Sequence, residues 1–243
     1  MRGVVYYIER DLLRWIRGKV NVVSSLAMPA AWLIFVGLAL PIKFTDNYLD
    51  FITPGILVMT MLSAGLSGGT LLMFDKILGF LNKFLALPSP REDILFGKIL
   101  FTSLRGLIQS TIILVIAVLI GATIYSPVQY GFTYLILFLF GMLLSAFSTT
   151  LALFLEDHDS YAAVNAMISM PLFFTSSALM PYSVMPSWLR FVASLNPLSF
   201  AIDAIRAVNT GALPIQQIVS LVVLCILITG ISTQVFRRMT VQI

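Results

Sequence analysis

The stretch DKILGFLNKFLALPSPREDILFGK, residues 75–98, is the longest charged interruption between the long apolar runs of this chain. Its own apolar residues recur at three- and four-residue spacing, as they do on one face of a helix. The residues of that face are Ile77, Phe80, Leu81, Phe84 and Leu85. Pro88 should end the helix, because a proline disfavours helical geometry in the residue before it. The pattern predicts a short amphipathic helix that lies either in lipid headgroups or against a soluble partner.

The composition places the chain in a membrane. Of its 243 residues, 59% are hydrophobic and 11% are charged, whereas soluble domains carry roughly 25% charged residues. The net charge of +4 reflects which loops face the cytoplasm and predicts no nucleic-acid partner. No G-x-x-x-x-G-K-[ST] loop occurs in the sequence. The chain is therefore predicted to be no enzyme, and in particular not to hydrolyse nucleotide by that machinery.

The long apolar runs predict an all-α integral membrane protein with six spans, since a bilayer core takes about 20 residues of helix. The predicted spans are residues 20–42, 52–74, 99–124, 132–155, 160–180 and 217–236. Residues 1–19 read as an amphipathic helix on the membrane surface, or alternatively as an extension of the first span. Residues 1–243 would form one transmembrane domain.

The second span carries a stripe of small residues, Gly65, Gly68 and Gly69. Small residues allow two helices to approach closely within a membrane. The stripe therefore packs either against another helix of the same chain or at the seam of a dimer.

Residues 181–210 are apolar but are interrupted by three prolines, so no single straight helix fits them. We predict two short helices that enter the outer leaflet and return, a re-entrant hairpin. Ser187 is expected to cap the first helix, and Asn196, which a proline follows, the second. Asp203 and Arg206 are three residues apart and can form an ion pair.

The basic residues predict the orientation. With six spans both termini lie on one side, and twelve of the fifteen Lys and Arg residues fall on that side. By the positive-inside rule this side is cytoplasmic. The twelve are Arg2, Arg10, Arg14, Arg17, Lys19, Lys76, Lys83, Arg91, Lys98, Arg105, Arg237 and Arg238. No charged residue is expected in the middle of a span, which argues against a proton-coupled transporter.

Two motifs carry a resemblance to a known family. The first is Asp75, Gly79, Leu81, Leu85, Pro88, Ser89-Pro90-Arg91, Ile94-Leu95 and Gly97-Lys98. The second runs from Pro186-Ser187-Trp188-Leu189 through Asn196-Pro197-Leu198-Ser199-Phe200-Ala201-Ile202-Asp203-Ala204-Ile205-Arg206. With these motifs the chain resembles, over essentially its whole length, the membrane subunit of type-2 ATP-binding-cassette (ABC) exporters, which include drug, antibiotic and polysaccharide permeases. It departs from them at Ser177-Ala178, where members often have Ser-Gly.

The resemblance implies a permease in the plasma membrane that exports an amphipathic, lipid-like or drug-like cargo. It implies two separate cytoplasmic ATPase subunits, which hold ATP and Mg, and a second copy of this chain or a related permease. No cofactor is expected in this chain. The resemblance assigns coupling to the ATPase to Asp75, Lys76, Phe80, Lys83, Phe84, Pro88 and Arg91. It assigns an outer gate to Trp188, Asn196, Pro197, Asp203 and Arg206, and a substrate path to Ser63, Ser67, Thr175 and Ser176.

Two other classes remain open from the sequence, namely an ion-coupled secondary transporter and a membrane scaffold that transports nothing. An intramembrane protease is disfavoured, because the sole histidine, His158, lies in a loop beside acidic residues.

Overall fold

A computed structural model describes residues 2–39, 48–87 and 89–241, and these residues form helices joined by short connections, with no strand among them. The helices are α1 Arg2–Arg17, α2 Lys19–Ala39, α3 Tyr48–Ile77, α4 Phe80–Leu85, α5 Glu92–Leu119, α6 Pro127–Phe154, α7 His158–Phe174, α8 Ser187–Leu195, α9 Pro197–Asn209 and α10 Ile215–Val241. A single 3₁₀ turn, Tyr182–Val184, precedes α8. The predicted all-α membrane fold is confirmed.

Within the described ranges, five helices are long and apolar enough to cross a membrane: α2, α3, α5, α6 and α10. Helix α7 occupies the place of the predicted fifth span and has 17 residues, about 26 Å of helix, which is near the lower limit for crossing a bilayer. Helices α8 and α9 meet at 85°. This bend fits one broken span as well as the predicted re-entrant hairpin, so the hairpin stays a prediction. The predicted end of the first span at residue 42 lies outside the described residues.

Two predicted spans end earlier than expected. The third ends at Leu119 rather than at residue 124, because Gly121 has a positive φ of 113° and closes the helix with backbone bonds. The fifth ends at Phe174 rather than at residue 180. The chain after it is bonded to α9 instead, since the backbone N–H of Ser177 donates to Ser199 Oγ at 3.1 Å.

Helix α3 is the centre of the bundle, and the glycine stripe packs it against α6. The hydroxyl of Ser148 accepts a hydrogen bond from the N–H of Gly69 at 2.9 Å and donates to the carbonyl of Gly65 at 3.0 Å. A Cβ at Gly68 would lie against the hydroxyl of Ser145. The stripe is thus an intramolecular packing face, one of the two alternatives left by the sequence.

Helix α1 is separate from α2, which begins after Gly18, and it packs across the start of α5. Its buried residues are Tyr7 and Asp11, and Tyr7 lies against Gly97. Burial raises the pKa of the Tyr7 phenol, so Tyr7 packs as a neutral side chain. We call the end of the bundle that contains α1, α4 and the start of α5 the basic end, and the opposite end, with α8 and α9, the hairpin end.

Candidate functional site

The predicted amphipathic helix between the second and third spans is shorter than its sequence suggested. Helix α3 continues to Ile77, the chain turns at Leu78 and Gly79, and α4 covers only Phe80–Leu85. Gly79 has a φ of 71°, a left-handed conformation that glycine adopts readily because it has no Cβ, and this conformation breaks the helix. The prediction that Ile77 shares one helical face with Phe80 and Leu81 is therefore wrong.

One side of α4 packs against the body of the protein. Leu81 is buried at 2% exposure. The ring of Phe84 meets the ring of Tyr7 edge-on, with their centroids 5.4 Å apart, and the Arg10 guanidinium carbon lies 4.6 Å from the Phe84 centroid. Phe84, predicted to anchor a partner protein, thus fixes α4 to α1.

Other apolar residues in and around α4 are exposed, although the ring of Phe80 also stacks on the ring of Phe84, with centroids 6.3 Å apart. Phe80 is 41% exposed, and Ile77, Leu78 and Leu87 are more exposed still. The ammonium of Lys83 lies 5.4 Å from the centroid of the Phe80 ring. This surface, made of Ile77, Leu78, Phe80, Lys83 and Leu87, is called the α4 surface below.

Asp75 lies inside the protein rather than on the α4 surface. It is 1% exposed, and its Oδ2 is 2.5 Å from Lys98 Nζ and 3.1 Å from Arg10 Nη2. Arg10 also pairs with Asp11 at 2.6 Å, and Lys98 Nζ lies 3.5 Å from Asp11 Oδ2. These four residues, the ion cluster, join α1, α3 and α5 with two positive and two negative charges. Asp75 was predicted to contact the ATPase, and this position gives it no surface for that contact.

Lys76, Pro88 and Arg91 complete the residues predicted for coupling. The ammonium of Lys76 donates to the carbonyls of Leu153 at 3.3 Å and Leu155 at 2.7 Å, which lie at the end of α6. Such carbonyls have no partner within their own helix, so Lys76 stabilises the end of α6. Arg91 is exposed beside the start of α5, and Pro88 lies outside the described residues.

At the hairpin end, Asn196 joins three helices. Its Oδ1 accepts from the backbone N–H of Leu198 at 2.9 Å, so it caps α9 as predicted. Its Nδ2 donates to the carbonyl of Leu172 at 2.7 Å and to Thr175 Oγ1 at 3.1 Å, which ties the cap to the end of α7. Pro197 is the first residue of α9. Ser187, by contrast, makes no cap for α8, because Pro186 stands at the capping position.

Asp203 and Arg206 form more than the predicted ion pair. They approach to 3.8 Å, and Asp203 also accepts hydrogen bonds from Ser177 Oγ and Tyr182 Oη, each at 2.7 Å. Arg206 donates to the backbone carbonyl of Phe51 at 3.1 Å, and its guanidinium carbon lies 3.8 Å from the centroid of the Phe51 ring. The pair therefore fixes the hairpin to α3 and to the segment after α7.

Trp188 also belongs to the hairpin, and this residue is 66% exposed. It stands in the first turn of α8. Its predicted role in an outer gate stays a prediction.

The four hydroxyl residues predicted for a substrate path lie in different surroundings. Thr175 and Ser176 donate to carbonyls at the end of α7. Ser67 donates to the carbonyl of Ala64 at 2.5 Å and is half-buried. Only Ser63 of these four is exposed, and it lines a groove of about 160 Å³ between α2, α3 and α7.

Arg105 is a residue that the sequence reasoning placed wrongly. It was counted with the cytoplasmic basic residues, yet it is the fourteenth of the 28 residues of α5. Its guanidinium donates to Ser67 Oγ and, at 3.4 Å, to the carbonyl of Ala64. The expectation that no charge sits within a span is wrong at this position. Arg105 lies inside the run predicted for the third span, and that was the signal available from the sequence.

Comparisons with known proteins agree with this architecture. The model of the family described as ABC-2 type transporter matches residues 3–209. The chain is 35% identical over 208 residues to a protein of Cyanophora paradoxa named transport permease ycf38, covering 82% of this chain and 71% of that protein. It is 24% identical over 224 residues to the doxorubicin resistance ABC transporter permease protein DrrC of Mycobacterium tuberculosis, covering 88% and 79% of the two chains. It is 22% identical over 241 residues to nodulation protein J of Rhizobium leguminosarum bv. viciae, covering 95% and 92%.

Proposed function

The chain belongs to the ABC-2 type transporter family, and from this premise we propose that it is the permease subunit of an ATP-driven exporter. Two separate ATPase subunits, which bind ATP and Mg, would supply the energy from the cytoplasm. A second copy of this chain or a related permease would complete the transporter. The cargo would be an amphipathic, lipid-like or drug-like molecule that leaves the cytoplasm across the plasma membrane.

The α4 surface is the observation that carries this proposal. Its apolar residues are exposed beside Lys83, an arrangement suited to docking, because buried apolar and aromatic anchors contribute most of the energy of such contacts. Helix α4 is fixed to α1 by Phe84. A force on α4 would therefore reach α1 directly, and through the chain it would reach α3 and α5.

The orientation follows from charge. The basic end contains α1 and α4, and the exposed Lys83 and Arg91 lie there. Because cytoplasmic loops are rich in Lys and Arg, this end and both termini would face the cytoplasm. The hairpin end would then face outward, and α8 and α9 would act as the outer gate.

The groove between α2, α3 and α7 supports a path for an amphipathic cargo. Its walls are mostly apolar, with Ser63 and Ser169 as polar groups. The name of the mycobacterial relative includes doxorubicin resistance, which favours a drug-like molecule for that protein and, by proposal, for this chain. We place the second permease against the same face, so that the cargo passes along the seam.

Docking is tested by adding one negative charge to the α4 surface. Phe80→Asp and Leu78→Asp should abolish copurification of the ATPase subunits, because each places a charge where an apolar contact is needed. Asn82→Asp is the matched control, since Asn82 is exposed on the same short helix, and it should leave the yield unchanged. If ATPase subunits copurify normally with both the Phe80 and the Leu78 variants, the docking role is wrong. Phe84→Asp is unsuitable, because it would break the packing of α4 on α1.

An ion-coupled transporter and a scaffold are the competing functions. Charged residues within spans often mark ion routes, but an arginine stays protonated and cannot carry protons. Vanadate-sensitive movement of cargo in vesicles that contain the chain and its ATPase would support export. Cargo movement that vanadate does not inhibit would favour an ion-coupled transporter, and no cargo movement would favour a scaffold.

A further inference from the structure

Arg105 has no acidic partner within the described residues. The ion pairs found there involve Arg10, Lys98, Arg206 and Arg237, and Arg105 is in none of them. Its Nη2 bonds to two neutral oxygens, and its Nε is buried without a hydrogen-bond partner. Among the residues that the structure describes, the positive charge of Arg105 therefore has no carboxylate partner, and its guanidinium carbon lies 5.8 Å from the centroid of the Phe101 ring.

The position of this charge is deep in the bundle. Its contact, Ser67, precedes Asp75 by eight residues of the same helix, so it lies about 12 Å further from the basic end than the ion cluster does. Along α5, fourteen residues separate Arg105 from Leu119 at the hairpin end. Ionisable residues at such depth are costly and usually mark functional sites.

The charge lies next to the groove. Ser67 and Ser63 are one helical turn apart on the partly exposed stripe of α3, so the guanidinium sits one turn below the wall to which Ser63 belongs. That wall continues with apolar side chains, including Trp32 of α2 and Phe174 of α7. Arg105 therefore lies about one helical turn of α3, roughly 5 Å, beyond the groove residue Ser63, on the side nearer to the basic end.

We propose that Arg105 binds the carboxylate or phosphate of an anionic amphiphile whose hydrocarbon part lies in the groove. A guanidinium is suited to this, because its planar donors match carboxylate and phosphate oxygens. That the amphiphile is the transported cargo rests on the proposed function. The binding itself requires no ATPase.

Trp32 provides the test, since it lines the groove. The full-length protein carrying Trp15→Phe and Trp188→Phe has Trp32 as its sole tryptophan. A dibrominated fatty acid and its methyl ester, which quench tryptophan equally on contact, are titrated into it in neutral detergent at a pH where the acid is ionised. The acid should quench at a concentration about tenfold lower than the ester, as expected for a charge-assisted hydrogen bond.

Three variants of the same protein separate binding from structure. Arg105→Gln should remove the preference for the acid, and Arg105→Lys should retain part of it. Arg190→Gln is the matched control, because Arg190 is exposed on α8, and it should keep the full preference. Equal quenching by acid and ester without a change at Arg105, or an unchanged preference in Arg105→Gln, would overturn the proposal. If Arg105→Gln does not fold, the proposal is still tested by the acid–ester comparison in the protein with Arg105 and by the Arg105→Lys variant.

The source of the anion is determined in vesicles made with or without phosphatidylglycerol. If phosphatidylglycerol competes with the fatty acid, the site binds a bilayer headgroup. If it does not compete, the site binds a free acid. Both results support an anion site at Arg105. Failure of the quenching experiment would leave ATPase docking on the α4 surface untouched. Failure of docking would likewise leave the quenching result untouched.

Discussion

Replacing Lys98 with methionine should destabilise the protein by about 3 kcal/mol, at the lower end of the cost of breaking a buried ion pair. Lys98 is 1% exposed and lies 2.5 Å from Asp75 and 3.5 Å from Asp11. Without it, both carboxylates stay buried and share one cation, Arg10. The cost stays at the lower end because Arg10 still compensates part of their charge.

A second change identifies the cause. In Lys98→Met with Asp75→Leu, the remaining Arg10 and Asp11 balance each other, so most of the lost stability should return. Apolar replacement of a complete buried pair is often neutral, and residues in contact show coupling of about 0.5–3 kcal/mol. Lys83→Met is the control, since Lys83 is exposed on α4 and its loss should cost no more than about 0.5 kcal/mol.

The measurement is equilibrium unfolding of the purified protein in mixed micelles, followed by circular dichroism as denaturing detergent is added. A cost below about 1 kcal/mol for Lys98→Met would show that the cluster behaves like a solvated surface pair. Costs that simply add in the double variant would show that Lys98 and Asp75 do not interact. Either result would refute the reasoning.

Two further predictions concern the packing of the bundle. Gly69→Ala should lower stability by about 1–3 kcal/mol, because the added Cβ would overlap the carbonyl of Ser148. The control Gly131→Ala should be neutral or slightly stabilising, because a Cβ at Gly131 meets no atom within 4 Å. Equal effects of the two substitutions in the same unfolding assay would contradict the packing of α3 on α6. Asn196→Ala should cost about 1–2 kcal/mol, and Asn196→Asp should restore the cap of α9 but not the donor to Leu172, so full recovery by Asp would show that the bond to α7 contributes nothing.

Much of the architecture was predictable, because it depends on local features of the chain. The apolar runs indicated the spans, and Asn196 followed by Pro197 indicated the start of α9, where the structure has it. The orientation of α4 was not predictable from periodicity. The three- and four-residue spacing of apolar residues does not predict the break at Gly79. It also does not indicate that Phe84 packs on α1 while Phe80 is exposed.

The contacts of the polar residues are the part of the structure that the sequence predicted least well. Arg10 and Lys98 were counted among the cytoplasmic basic residues and Asp75 was assigned to coupling, since 65 residues separate Arg10 from Asp75 in the chain. They form one buried cluster only because α1 crosses the start of α5 beside α3. Arg105 and Ser67 meet in the same way, between two antiparallel helices.

By itself the sequence determined that this is a helical membrane protein with two short helices before its last span, because hydropathy, helix length and proline positions act over a few neighbouring residues. Only the tertiary structure decided which charges are paired inside, which residues of α4 are exposed, and that Arg105 lies within a span with no carboxylate partner among the residues the structure describes. These outcomes depend on how helices distant in the chain pack together, and no local pattern contains that information.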